Sequence, residues 1–101
     1  MAARNVKIGY DKDTNSLMVS FDYNEKLVAR IKERFVGRKW NSNKKYWEIP
    51  LNRENVEVFA CFVYGNIQWF RGAEITKKAF EKVNEFESSH GKIEETDLAI
   101  F

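Results

Sequence analysis

The sequence predicts an α+β domain in which antiparallel β-hairpins form one small sheet with helices packed on one face. The expected element order is ββαββα plus a C-terminal helix. Three observations carry this. Val, Ile and Tyr alternate with Lys7 and Gly9 in Val6 to Tyr10, and Leu, Val and Phe with Met18 and Ser20 in Leu17 to Phe21, which is the period of a strand. They recur at the helical period through Leu27, Val28, Ile31 and Phe35, through Val56, Phe59, Ala60 and Val63, and through Ala79, Phe80, Val83 and Phe86. Clusters of Asp, Asn, Ser and Lys, or single glycines, stand between these runs, where turns are needed.

Taken in order, Asp11 to Ser16 closes the first hairpin, because Asp, Thr, Asn and Ser bond their own backbone in turns. The first helix follows, with Asp22 or Asn24 as N-cap and Gly37 as the stop. A second hairpin is predicted from Gly37 to Leu51, where Arg38 to Trp40 and Tyr46 to Ile49 flank a loop of Asn, Ser and Lys. Pro50 ends its second strand, having no N–H for the ladder. The second helix is capped by Asn52, with Leu51 stapled to Val56, and Gly65 is placed at its C-terminal left-handed position. Ile67 to Phe70 is a short strand candidate. A third helix, capped by Thr76 with Ile75 stapled to Phe80, is expected to run up to Gly91.

The 101 residues, 44% apolar and 15% aromatic, are enough for one domain around one core. Residues 1–91 are assigned to it, and 92–101 to an acidic and then apolar tail or the start of a linker. No run of 18 apolar residues and no secretory leader is recognisable, so the chain is expected inside the cell, in the cytoplasm or with the nucleoid or nucleus. The single cysteine, Cys61, beside Phe59 and Phe62, is expected to pack in the core. One Cys and one His, His90, cannot supply four ligands, so no zinc site is expected. His90 falls at the end of the third helix, where a partly cationic imidazole suits the dipole.

Charge is unevenly distributed. Residues 1–53 carry 12 Lys and Arg against 6 Asp and Glu, a balance of +6, whereas residues 54–101 carry 5 against 9, a balance of −4. A basic half suits a polyanion partner, although opposite charges can also pair across a mixed surface. Within it, Lys26, Arg30 and Arg34 recur every fourth residue along the first helix. The second hairpin adds Arg38, Lys39, Lys44 and Lys45, with no acid before Glu48. Cations that take phosphates and rings on which unstacked bases lie are what a nucleic-acid site requires. Alternation places Trp47 and Ile49 on one face, toward the core, and Tyr46 and Glu48 on the other, leaving Tyr46 the better exposed ring. Trp40 either closes the core edge or stands out as a stacking platform.

No GxxxxGK(S/T), GxGxxG or HExxH motif occurs, and no nucleophile is paired with a base, so neither an enzyme nor a cofactor is expected. Glu81, Glu85 and Glu87 interleave with Lys77, Lys78 and Lys82 as a solvated helix face.

The segment from about Leu17 to Phe62 resembles a HARP domain, the small module found before the motor of annealing-helicase-type proteins of the Swi/Snf-like class. The resemblance is carried by the helix Leu27-Val28-Ala29-Arg30-Ile31-Lys32, by Arg38 and Trp40, and by Asn41, Lys44, Lys45, Trp47, Ile49 and Leu51 in ungapped register. Two positions depart from the family pattern: Asn41 stands where Asp is common, and Tyr46 where a cation often precedes the Trp. The same element order is similar to the damage-recognition module of some archaeal repair helicases. The resemblance implies recognition of DNA structure, at forks, junctions or boundaries between single and double strands, for a helicase-like motor in cis or in trans. On that reading Arg38, Lys39, Lys44 and Lys45 bind phosphates, Trp40 and Tyr46 stack on or wedge against bases, and Lys26, Arg30 and Arg34 extend the track. The rival expectation is a protein-interaction module that docks a partner or the motor through Trp69, Phe70, Leu98, Ile100 and Phe101.

Overall fold

A computed structural model of the chain describes residues 5–64, 73–86, 91, 93, 99 and 100. In chain order its elements are β1 (Lys7–Asp11), β2 (Ser16–Ser20), α1 (Glu25–Arg34), β3 (Lys39–Asn41), β4 (Tyr46–Pro50), α2 (Arg53–Tyr64), β5 (Glu74–Ile75), α3 (Lys77–Asn84) and β6 (Ala99–Ile100). The fold is α+β, with one sheet ordered β3-β4-β2-β1-β5-β6.

The alternating residues make the inner face of that sheet. Ile8 pairs with Val19, Leu17 with Ile49, and Val19 with Trp47, so these side chains lie on one side, and all of them are buried. The helices add Leu27, Ile31 and Phe35, then Val56 and Phe59, then Ala79 and Val83, to the same core cluster. Helices therefore cover one face. Lys7, Gly9, Met18, Ser20, Lys39, Tyr46, Glu48 and Glu74 have the opposite parity and line the other face, which no helix among the described residues covers.

The caps form as the side-chain chemistry requires. Asn24 Oδ1 accepts from the Leu27 N–H at 3.0 Å, Asn52 Oδ1 from Asn55 N–H at 2.8 Å, and Thr76 Oγ1 from Ala79 N–H at 3.2 Å. Asp22, the other N-cap candidate, instead accepts from the Asn5 amide at 3.0 Å.

Several expectations are corrected. The sheet is mixed rather than purely antiparallel, because β5 pairs with β1 in parallel and β6 with β5. That pairing is secured by Glu74 N–H to Val6 O and Thr76 N–H to Ile8 O, both 2.9 Å. Cys61 is exposed. At about 100° per residue it falls five positions beyond Val56, on the side of α2 away from buried Val56, Phe59 and Ala60. The third helix stops at Asn84, several residues short of Gly91, where the Glu85 N–H is shared between the Glu81 and Lys82 carbonyls and the Phe86 N–H bonds the Val83 carbonyl, which tightens the last turn. Asn84 then holds the returning chain through two bonds to the Ile93 backbone, at 2.9 and 3.2 Å. Ile100 is half-buried against the core. Gly65, Ile67 to Phe70, Glu87, His90, Leu98 and Phe101 lie outside the described residues, as does most of the apolar surface of the rival expectation. No helix among the described residues is long and apolar enough to cross a membrane.

Candidate functional site

The second hairpin is held at its base by a buried amide. Asn55, on the first turn of α2, is 1% exposed. Its Oδ1 accepts from the Val36 N–H at 3.0 Å, and its Nδ2 donates to Val36 O at 2.9 Å and to Pro50 O at 2.8 Å. The chain entering β3 is thereby clamped to the chain leaving β4. Gly37 completes the clamp at φ +75°, so close to Pro50 that a Cβ would stand 3.1 Å from its Cγ. A rigid base is what lets the other end of the hairpin present side chains in fixed positions.

At their tips the two hairpins are built alike, each with a four-residue loop, residues 12–15 and 42–45. Asp11 Oδ1 accepts from the Asp13 N–H at 3.0 Å, and Asn41 Oδ1 from the N–H groups of Asn43 and Lys44 at 3.1 and 2.9 Å. Each loop ends on a left-handed residue, Asn15 at φ +51° in the first and Lys45 at φ +62° in the second. Asn tolerates that conformation, whereas a Lys carries a steric cost there. Lys45→Gly removes this cost, offset in part by glycine's greater backbone entropy, and is expected to stabilise the fold by about 0.5–1 kcal/mol. A urea titration showing a lowered midpoint would contradict this.

The register of the hairpin decides what each side chain faces. Trp40 pairs with Trp47, Lys39 with Glu48 and Asn41 with Tyr46. Trp40 therefore shares the helix side of the sheet with buried Trp47, their rings 5.2 Å apart and tilted by 52°. It is nevertheless 46% exposed, because β3 is an edge strand with no neighbour beyond it among the described residues. Tyr46 stands on the uncovered face and is half-buried, so the expectation that it is the better exposed ring is overturned. Trp40 and Tyr46 point to opposite sides of the sheet and cannot hold one base between them.

The predicted cations also divide. Lys39, Lys44 and Lys45 are exposed at the hairpin and make no ion pair among the described residues. Arg38, also exposed, donates from Nη1 to Phe35 O at 3.4 Å, a carbonyl just past the last turn of α1. Lys26, Arg30 and Arg34 are exposed on α1, with Arg30 3.8 Å from Glu33. The helical wheel puts these three on one flank of Leu27 and Ile31, and Val28 and Lys32 on the other. Val28 and Lys32 are the pair that faces Trp40. The Lys26, Arg30, Arg34 stripe thus lies on the side of α1 away from the Trp40 ring.

Between α1 and the β3-β4 edge runs an apolar groove of about 220 Å³. Tyr23, Val28, Trp40 and Trp47 form its walls, Lys45 reaches one side and Lys32 lines its continuation. Tyr23 is 82% exposed. Neither Tyr23 nor Lys32 was expected at the site. The available signal was small: an aromatic outside any apolar period at the mouth of a helix, and a cation one turn beyond Val28. Comparison with protein-family models, with curated proteins and with solved structures finds no match for this chain.

Proposed function

We propose that this chain is a nucleic-acid-binding accessory module that recognises DNA structure through phosphate and stacking contacts. It serves a helicase-like motor, in cis or in trans, and catalyses nothing itself. The observation that carries the reading is the exposed Trp40 ring beside Lys32 and Lys45, with Lys39 and Lys44 on the same hairpin, none of the four ion-paired among the described residues. Unpaired cations leave their counterions to be released by a polyanion, and an exposed ring offers a face to a base. The HARP-like order of these residues supports the same reading and supplies the link to a motor and to an intracellular setting.

The split between the two flanks of α1 favours a branched ligand. A hairpin with cations at its tip and on both sides of the neighbouring helix can follow two diverging strands, whereas a straight duplex meets one flank at a time. Binding of forked, single-stranded and duplex DNA, followed by fluorescence anisotropy across a salt series, tests this. With about four to six phosphates neutralised, log K is expected to fall against log salt with a slope of roughly −3 to −5, and the fork to bind more tightly than either linear form. A flat salt response would remove the electrostatic basis of the proposal.

A further inference from the structure

We infer that the groove between α1 and the β3-β4 edge is a receptor for one unstacked base of a single DNA strand, with Lys32 and Lys45 holding the phosphates on either side of it. The inference rests on the nucleic-acid reading above and names the part of the ligand that this groove takes. Its walls are aromatic and aliphatic: Tyr23 at the mouth, the tilted Trp40 and Trp47 pair on one side, Val28 on the other. Tyr23 and Trp40 are left substantially in water at 82% and 46% exposure, so both have ring faces still to cover.

The chemistry of the rim selects among occupants. An aromatic groove can hold a quaternary or methylated ammonium, but two lysines beside it repel a cation. An apolar peptide would gain from the walls and nothing from the lysines. A nucleotide matches both parts, with a flat ring for the tryptophan and an anion within reach of the ammonium groups. A paired base inside a duplex is flanked by its neighbours and cannot enter a recess between a helix and a strand edge, so the base must already be out of its stack. The left-handed Lys45 fits this assignment, because the residue that closes the hairpin loop is also the one that reaches the groove.

The test compares a short oligothymidylate, the same strand with abasic positions throughout its centre, and a duplex of equal length, each with wild type, Trp40→Ala and Tyr23→Ala. Trp40→Phe serves as the ring-retaining control. Loss of one stacked base is expected to weaken binding of the oligothymidylate by about 10- to 100-fold in Trp40→Ala, and by a smaller factor in Tyr23→Ala. Duplex affinity and the salt slope should stay as in wild type, Trp40→Phe should retain most of the binding, and the abasic strand should bind wild type as weakly as the intact strand binds Trp40→Ala. Tyr23, almost wholly in solvent, can be removed without disturbing the core and keeps the test open should Trp40→Ala unfold. Equal binding of intact and abasic strands by wild type and Tyr23→Ala would overturn the base receptor while leaving salt-dependent DNA binding in place. Failure of wild type to bind any of the three at low salt would overturn both readings together.

Discussion

Asn55→Leu is expected to destabilise the domain by about 3 kcal/mol, from the burial of unsatisfied backbone groups. Leucine repeats the branched skeleton of asparagine, with two methyl groups where the amide oxygen and nitrogen stand, so the substitution removes the hydrogen bonds, and the greater bulk of the methyls adds strain of the same sign. Three bonds go: Val36 N–H loses its acceptor, and Val36 O and Pro50 O lose their shared donor. Each buried polar group left without a partner costs about 1–3 kcal/mol, and partial hydration of the Val36 turn brings the sum toward the lower end. For a chain of this size that is a fall in Tm of about 12–24 °C. Urea denaturation followed by tryptophan fluorescence measures it. A loss below about 1 kcal/mol would mean that water replaces the amide without penalty, and that the hairpin base is not clamped as described. Any loss of DNA binding in this variant would be read through the hairpin's stability and not as a lost contact.

The importance of Asn55 was not visible in the sequence, and the reason is instructive. As a residue of the first turn after an Asn N-cap, it has the chemistry of an ordinary helix start, and nothing nearby in sequence says that Val36 and Pro50 come to meet it. The caps at Asn24, Asn52 and Thr76 were legible because each acts on a backbone N–H three residues away. The faces of β1, β2 and β4 were legible because their period is local as well. β5 is only two residues long and is held by pairing with a strand more than sixty positions earlier, which no local pattern announces. Cys61 was misplaced by attention to its apolar neighbours; the wheel drawn through Val56, Phe59 and Ala60 puts it outside.

The site was half legible for the same reason. That cations and rings gather at the second hairpin is a matter of composition. Which of them act together depends on quantities that composition does not contain. The face taken by Trp40 follows from the register of β3 on β4, itself set by a four-residue loop ending on a left-handed Lys45, and a slip of one residue would exchange Trp40 for Lys39 or Asn41. The flank of α1 that meets the hairpin follows from the roll of that helix on the sheet, which brings Lys32 inward and turns Lys26, Arg30 and Arg34 away. Tyr23 enters the site only because that roll places the start of α1 beside Trp40.

Lys44→Glu/Lys45→Glu is expected to weaken DNA binding by about a hundred- to a thousand-fold at moderate salt, through four units of charge change at roughly 1 kcal/mol each in water. The slope of log K against log salt should become shallower by about 2, one for each lost phosphate contact. Folding should be unaffected, since both side chains are exposed, neither is ion-paired among the described residues, and Glu meets the same steric cost as Lys at the left-handed position. Lys44→Gln/Lys45→Gln should give about half the loss in free energy, because it removes charge without reversing it. The first hairpin supplies the control that separates a local contact from net charge. Its loop has the same length and also ends on a left-handed residue, Asn15, but its one cation, Lys12, sits between Asp11 and Asp13. Lys12→Glu should therefore leave affinity and slope almost unchanged. If it cost as much per charge as the changes at Lys44 and Lys45, DNA would be responding to the protein's overall charge, and the second hairpin would have no special part in binding it.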